Sequence, residues 1–262
     1  MNKLILAFAL LAVYSVSAAT DYCGQPGICS EGKTHVTCGA SGGMSSSCPS
    51  DAKFIDLSTL QKEIIDSHNE KRNRVAGGKI PKHSPAVRMA TIQWDDELAY
   101  MAGLNVKTCN YGHDECRNTN AFKFSGQNLA KNWWYGQDSG IKELVLGQID
   151  GWFSENKDSD MSKINNVGST GGPTTGHFTV MVAELSTRVG CAAVRSSEWD
   201  AEKQITWQTL TTACNYSHTN VKGHRIYTSG KATSKCTTGV NPKYQFLCST
   251  KEKYDPNTPI PA

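Results

Sequence analysis

The sequence has no hydrophobic segment long enough to cross a membrane. A spanning helix needs roughly 20 consecutive apolar residues, and the longest apolar run, Leu4 to Val13, is too short. That run follows the basic Lys3 and precedes the small residues Val16-Ser17-Ala18, which is the pattern of a secretory signal peptide. We therefore expect residues 1–19 to be removed and the mature protein to be soluble, secreted and extracellular.

Charge of one sign is not in excess, and the motifs of several function classes are missing. The 27 Lys and Arg residues face 24 Asp and Glu residues, for a net charge of +3, so we expect no nucleic-acid partner. A formal G-x-S-x-G match at Gly39–Gly43 lies in the Cys-rich segment, with no predicted strand before it or helix after it, so it is not the nucleophile elbow of many hydrolases. No Arg-Gly-Asp tripeptide is present either, so integrin binding through that motif has no basis.

Cysteine, in contrast, is abundant. None of the ten cysteines has the C-x-x-C spacing that a zinc cluster would need. An even number of cysteines in an exported chain indicates disulfide bonds, and we expect five. The cysteines are Cys23, Cys29, Cys38, Cys48, Cys109, Cys116, Cys191, Cys214, Cys236 and Cys248.

Three segments have helical patterns. A capping-box spacing at Ser58 and a Gly77-Gly78 stop predict a helix over about 58–76. Acidic residues directly after Trp94 suit the N-terminal end of a second helix. An apolar stripe predicts a third helix over 141–153.

Strands are predicted later in the chain. The segments Phe178–Leu185, Val189–Val194 and Ile205–Tyr216 are rich in β-branched and aromatic residues. Helices followed by strands indicate an α+β fold with helices packed on a largely antiparallel sheet. Residues 20–50 lack apolar periodicity, so their cysteines must tie them down. The polar tail over 217–262 is expected to fray at its end.

Five ordered elements between residues 94 and 216 resemble the motifs of the CAP superfamily, which comprises cysteine-rich secretory proteins, antigen 5 and pathogenesis-related 1 proteins. The distribution of the cysteines is similar to that of the antigen 5 branch, whose members are secreted insect proteins of saliva or venom. The elements are Gly176-His177-Phe178-Thr179 with Arg188-Val189-Gly190-Cys191, Cys214-Asn215-Tyr216, Gly126-Gln127-Asn128-Leu129-Ala130, His113 four residues after Cys109, and Trp152-Phe153-Ser154-Glu155.

The resemblance implies an α-β-α sandwich of the CAP type. The CAP domain would span residues 55–216, with a Cys-rich N-terminal segment over 20–54 and a short C-terminal extension over 217–262. The family pattern implies four disulfides and leaves one remaining pair for the extension. The implied pairs are Cys23–Cys38, Cys29–Cys116, Cys48–Cys109, Cys191–Cys214 and Cys236–Cys248.

In CAP proteins two histidines and two acidic residues line a central cleft, and the resemblance places His113, His177, Glu155 and Gln127 there. Two neutral imidazoles and a carboxylate can hold a divalent cation such as zinc or copper. Gln127 stands where the family pattern has a carboxylate, and an amide brings no charge and cannot act as a base. We therefore expect at most weak cation binding at His113 and His177, and no required cofactor.

Other candidate residues have less support. Ser125 is the only serine close to the cleft motif, and a catalytic triad built on it is disfavoured. His68 is expected on the face of the first helix, and no partner is evident for His218. Trp133-Trp134-Tyr135 is either partial core or an exposed recognition patch. Asn215 opens a formal glycosylation sequon.

Three classes of function compete. The favoured one is a monomeric, non-enzymatic protein that sequesters a host plasma or immune protein or a small lipid, and so acts on host defence or haemostasis. The alternative is a weak zinc or copper site with hydrolytic or redox activity at His113, Glu155 and His177. Ion-channel modulation would need a C-terminal domain with several more cysteines than Cys236 and Cys248, and is disfavoured.

Overall fold

The computed structural model describes residues 20–168 and 171–262, so the predicted signal peptide lies outside the described residues. Within these ranges no helix has the length and apolar character needed to span a membrane. Short 3-10 helices cover Leu57–Leu60 and Glu155–Asp158. The other elements are β1 (Lys53–Ile55), α1 (Gln61–Ala76), β2 (Gln93–Trp94), α2 (Asp96–Val106), β3 (Gly126–Trp134), α3 (Ile141–Ser154), α4 (Met161–Asn165), α5 (Gly176–Met181), β4 (Arg188–Asp200) and β5 (Ile205–Tyr216).

The strands form one sheet between two layers of helices. Its antiparallel order is β1-β4-β5-β3, and β2 adds to β4 in parallel. The larger apolar core includes Ile64 of α1, Ile149 of α3 and Leu210 of the sheet. A smaller core, including Ala102 and Ala213, lies between α2 and the other face of the sheet, because side chains alternate along each strand. The α+β expectation, with an α-β-α sandwich, is confirmed.

The predicted helices are present with small changes at their ends. The helix predicted over 58–76 begins as the 3-10 helix and continues as α1 from Gln61. Its first cap is Asp56, whose Oδ1 accepts a hydrogen bond from the Ser58 nitrogen at 2.9 Å, so the capping role predicted for Ser58 is wrong. The 3-10 helix before α1 places the cap at Asp56, two residues before Ser58. Asp95 caps α2 by accepting from the Leu98 nitrogen.

The strand predicted over Phe178–Leu185 is wrong, because the segment begins within helix α5 and continues as turn. Phe178 and Met181 are fully buried within the main core, so the apolar content of this segment reflects burial and not alternation across a sheet. The buried guanidinium of Arg72 donates to the carbonyl oxygens of Met181 and Ala183 at 2.8 and 2.9 Å. These bonds satisfy acceptors that the end of a helix leaves open.

Strand β3 is the longest element that the sequence patterns do not predict. Its residues include amides and a lysine and no β-branched side chain, so pairing with β5 stabilises it and local propensity does not. The register places Gln127 opposite Asn215. On the other side of β5, Cys191 and Cys214 lie directly opposite each other and are joined by a disulfide. The position of Gln127 is therefore fixed by the sheet.

Two disulfides hold the loop that carries His113. This loop follows α2 and runs between Cys109 and Cys116, and both cysteines are bonded to the N-terminal segment over 20–54. The Cys-rich segment is thus clamped to the domain next to the cleft. Four disulfides are the pairs that the family resemblance implies, Cys23–Cys38, Cys29–Cys116, Cys48–Cys109 and Cys191–Cys214, and the fifth is the remaining pair, Cys236–Cys248.

The C-terminal extension is folded onto the domain, and the expectation of a frayed end is wrong. The Arg225 nitrogen donates to the Ile260 carbonyl at 3.0 Å. The Glu252 carboxylate accepts hydrogen bonds from the backbone of Thr237 and Thr238 and from Arg88. Burial alone would raise the pKa of Glu252, but these bonds outweigh it and lower the pKa to about 2. The composition of the extension does not predict this folded state, because the stabilising contacts join residues that are far apart in the sequence.

Candidate functional site

His113 is held by the side chain of Gln127. Nδ1 of His113 lies 2.8 Å from Oε1 of Gln127. The amide nitrogen of Gln127 donates to Oδ2 of Asp114 at 2.8 Å and to Oδ1 of Asn215 at 3.0 Å, so the amide oxygen must face His113. Because that oxygen can only accept, Nδ1 of His113 carries the proton, and in the neutral ring Nε2 keeps its lone pair.

Asp114 fixes this arrangement from behind. Its Oδ2 also accepts from the Asn105 amide at the end of α2, at 3.1 Å. Its Oδ1 accepts from Nε of Arg117 at 2.5 Å. A second nitrogen of Arg117 donates to the Asp114 carbonyl, and the third lies 3.4 Å from the Ser125 carbonyl. The positive charge of Arg117 is therefore balanced by Asp114 inside the protein.

His177 is held in the same way by Glu155. Nδ1 of His177, the second residue of α5, lies 2.7 Å from Oε1 of Glu155. Oε2 of Glu155 accepts from the Phe178 nitrogen at 3.1 Å. The imidazole stacks on Trp152, with ring centroids 6.2 Å apart and an angle of 20° between the rings. Both carboxylate oxygens of Glu155 are occupied, and His177, like His113, donates from Nδ1.

These groups border a cleft of about 340 Å³. Among the described residues, Val180 is the one aliphatic side chain in its lining, and neither Asp114 nor Glu155 lines it. The rest is polar: two imidazoles, the Arg117 guanidinium, three amides and two hydroxyls. The amides and hydroxyls are those of Gln127, Asn128, Asn220, Thr174 and Thr219.

The cleft offers a divalent cation few ligands. In the ranges 20–168 and 171–262, no three His, Cys, Asp or Glu side chains are grouped so that they could hold a metal ion. A cation in the cleft would find two imidazole nitrogens, because neither Glu155 nor Asp114 lines it and the Gln127 oxygen accepts from His113. Zinc sites in proteins have three or four protein ligands. The residues present therefore do not fit a resident divalent cation.

A buried chain of hydrogen bonds connects α1 to the cleft, and it contains His68. His68 lies on α1, as expected, and its side chain is fully buried. Its Nδ1 donates to the Ile64 carbonyl at 2.8 Å, so its Nε2 accepts from the Tyr216 hydroxyl at 2.9 Å. The Asn128 amide donates to that hydroxyl and to the His177 carbonyl. The four-residue spacing from Ile64 is the sequence signal for this buried position.

Burial governs the ionisation of both ends of this chain. It lowers the pKa of His68 to about 4 and raises the pKa of Tyr216 above its ordinary range. Both side chains are therefore neutral at neutral pH. Two neutral rings can share one hydrogen bond in a dry interior without the cost of burying a charge.

Three other candidates have structural positions. Ser125 is buried and its Oγ donates to a backbone carbonyl at 3.1 Å, so it has no bonded base. Asn215 is fully buried and its amide nitrogen donates to a carbonyl of α2 at 3.2 Å, so the sequon is inaccessible in the folded protein. His218, for which no partner was evident, donates to the Pro256 carbonyl from Nδ1 at 2.7 Å.

The aromatic cluster is both core and surface. Trp134 packs against the main core, whereas Trp133 and Tyr135 are 51% and 66% exposed. The Trp133 indole donates to Glu198 at 2.9 Å, and the Lys131 ammonium bonds to the same carboxylate. The cluster lies at the opposite end of β3 from Gln127, about 20 Å away at the rise of a strand. It is therefore a surface separate from the cleft.

The fold and the cleft define a class of protein, the disulfide-rich α-β-α sandwich with paired histidines at its centre. Residues 65–216 match the family model described as "CAP: Cysteine-rich secretory protein family". The chain belongs to the CAP family and is an antigen 5-like member.

Relatives and a solved structure agree with this assignment. The chain is 38% identical to Venom allergen-1 of Aedes aegypti over 256 residues, which is 96% of each chain. It is 42% identical over 165 residues to Antigen 5 like allergen Cul n 1 of Culicoides nubeculosus, covering 62% of this chain and 74% of that protein. The crystal structure titled "NaASP2 with Zn2+" superposes with a TM-score of 0.55 and 25% identity, covering 72% of this chain and 94% of that one.

Proposed function

We propose that the protein is a secreted, non-enzymatic binding protein that acts on host defence or haemostasis by sequestering a host protein or a small lipid mediator. The observation that carries the proposal is that the described lining of the cleft offers no nucleophile activated by a neighbouring base. His113 and His177 use Nδ1 on Gln127 and Glu155. No described hydroxyl in the cleft lining is bonded to an imidazole, so nucleophilic catalysis has no activated oxygen.

The exposed aromatic cluster supports a protein partner. Trp133 is held in place by Glu198, although half of its surface is open to solvent. Ordered, exposed aromatic side chains supply contact area at a low cost in entropy and are enriched at the energetic centres of interfaces. The relatives named as allergens are themselves proteins that meet a host immune system. Both points favour a host protein as the target.

A second cavity supports the lipid version. It has a volume of about 420 Å³ at the edge of the sheet, and it is lined by Ile55, Ile141 and Arg195 among others. The lining also includes Lys53, and apolar side chains beside cationic ones suit an acyl chain that ends in a carboxylate. Arg195 is paired with Asp138 at 2.6 Å, so a lipid carboxylate would compete with that ion pair.

The test is a pull-down from vertebrate plasma with the recombinant protein, followed by mass spectrometry of retained proteins and extracted lipids. We expect one class of ligand to be enriched. If it is a protein, Trp133→Ala with Tyr135→Ala should abolish retention, and Tyr100→Ala, an aromatic on α2 that is 41% exposed, is the matched control. If it is a lipid, Ile141→Ser should abolish it. Retention of neither class would overturn the proposal.

The alternative is metal-assisted hydrolytic or redox chemistry at His113, Glu155 and His177. It predicts that added zinc or copper creates an activity that needs His113. The ligand set described above disfavours it. Unchanged activity in a His113→Ala, His177→Ala double variant, with either metal present, would exclude it.

A further inference from the structure

Two imidazole nitrogens at the cleft have no partner in the part of the chain that the structure describes. Both imidazoles direct Nδ1 at a side-chain oxygen, so in the neutral ring Nε2 carries the lone pair, and neither Nε2 atom has a hydrogen-bond partner among the described residues. Both rings line the cleft. A ligand that brings hydrogen-bond donors would satisfy these two acceptors.

The donors around the cleft are committed to the protein. The Asn220 amide donates to the Gly176 carbonyl at 3.2 Å and to Oγ1 of Thr179 at 2.8 Å. The Thr219 hydroxyl donates to the Asn220 side chain at 3.1 Å, and the Asn128 amide is used on His177 and Tyr216. Apart from the remaining N–H groups of Arg117, the free hydrogen-bonding capacity of the rim lies in oxygen and nitrogen lone pairs.

This pattern disfavours ligands that carry charge. An anion would meet the two Nε2 lone pairs, and Arg117 is already balanced by Asp114. An ammonium group would need a carboxylate to replace its hydration, and no described carboxylate lines the cleft. A divalent cation lacks ligands, as argued above. An acyl chain would find Val180 as the one aliphatic side chain in the described lining.

We propose that the cleft binds a neutral, hydroxyl-rich ligand of the size of a mono- or disaccharide, whose hydroxyl groups donate to Nε2 of His113 and His177. A volume of about 340 Å³ is at the small end of ligand sites, which are typically about 300–1,000 Å³. Gln127 has a defined part in this site. Its amide adds no charge to the cleft. It also fixes the tautomer of His113, so that Nε2 is the atom that faces the ligand.

The inference rests on the proposed function, since it takes the cleft to be a binding site. The probes are methyl α-mannoside, methyl β-galactoside and N-acetylglucosamine, titrated into the intact protein and followed by saturation-transfer NMR. Sodium sulfate, zinc chloride and oleate are titrated in parallel. We expect at least one sugar to bind, with the weak affinity usual for a small polar ligand, and zinc to leave that binding unchanged at equimolar concentration.

Two variants and one control locate the site. Thr174→Val removes a hydroxyl from the exposed rim without changing its shape, and should weaken sugar binding about 3- to 10-fold, as the loss of one neutral hydrogen bond does. His177→Phe keeps a ring against Trp152 but removes the acceptor, and should weaken binding about 10-fold or more. Thr206→Val, exposed on β5 at the far end of the sheet, should change nothing. Thermal unfolding of each variant confirms that it is folded.

Several results would overturn the inference. One is the absence of binding for all three sugars, and another is zinc, sulfate or oleate binding that His177→Phe abolishes. Sugar binding that survives both Thr174→Val and His177→Phe would place the ligand elsewhere. If the sugars fail while plasma ligands are still retained, the inference fails and the proposed function stands. If a sugar binds but plasma yields no ligand, the sequestration proposal fails instead.

Discussion

Replacing Gln127 by glutamate tests the hydrogen-bond network that Gln127 forms with Asp114 and Asn215. The Gln127 amide nitrogen lies 2.8 Å from an oxygen of Asp114 and 3.0 Å from Oδ1 of Asn215. In Gln127→Glu that nitrogen becomes a carboxylate oxygen that faces two acceptors. Two unit charges at this separation repel by about 6 kcal/mol at an effective dielectric constant of about 20. We expect the variant to be less stable at neutral pH.

The loss should depend on pH, because the new carboxyl group can avoid repulsion by taking up a proton. That proton costs about 1.4 kcal/mol for each pH unit above the ordinary glutamate pKa of about 4.3. The free energy of unfolding should therefore fall by about 1 kcal/mol at pH 5 and by about 5 kcal/mol at pH 8. A proton held more tightly in the folded state favours folding at low pH, so stability is lost as the pH rises.

The assay is guanidinium unfolding at pH 5, 6.5 and 8, followed by tryptophan fluorescence. Gln127→Ala removes the same hydrogen bonds without adding a charge and should show no such pH dependence. In a double-mutant cycle, Asp114→Asn should relieve much of the loss caused by Gln127→Glu, with a coupling energy of about 2 kcal/mol or more at pH 8. Equal losses at pH 5 and pH 8, or no coupling, would refute the charge argument.

Three further predictions concern stability. In Gly190→Ala a Cβ would lie 2.1 Å from the Ala99 nitrogen and 2.4 Å from the Asp95 carbonyl oxygen, so α2 must move away from β4, and we expect a loss of about 3 kcal/mol or more in denaturant unfolding. His68, whose pKa burial lowers from 6.5 to about 4, should make the protein lose about 3 kcal/mol as the pH falls across that interval, and His68→Gln should flatten the pH profile. Glu252→Gln removes the charge that Arg88 and four hydrogen bonds from Thr237 and Thr238 stabilise, which should cost about 2 kcal/mol and speed hydrogen exchange in the Cys236–Cys248 loop.

Sequence patterns predict the helices whose apolar residues recur with the helical period. Helices α1 and α3 have apolar stripes with the period of a helix, and their predicted ranges agree with the structure to within a few residues. Helix α5 does not follow that rule, since Phe178 and Met181 are enclosed on all sides and carry no periodic signal. Strand β3 is stabilised by pairing with β5, which lies about 80 residues later in the chain, and no local pattern reports such pairing.

The same distinction applies to the cleft. The family resemblance selects His113, His177, Glu155 and Gln127, and the structure brings all four together. It does not select Asp114, although that residue follows His113 directly, because its role depends on the direction of its side chain. The contribution of Asn215 depends on strand register. Side-chain direction and strand register depend on contacts between distant parts of the chain, and the spacing of motifs does not predict them.

The disulfide between Cys191 and Cys214 has a consequence for how this scaffold can diversify. It joins directly opposed residues of β4 and β5, one position before the pair formed by Asn215 and Gln127. A single inserted or deleted residue in β5 would turn every following side chain to the other face of the sheet, and the crosslink forbids the strands to slide and compensate. Specificity in such a molecule can change by substitution at the cleft and by lengthening of loops, whereas the spacing of the central strands must be inherited unchanged.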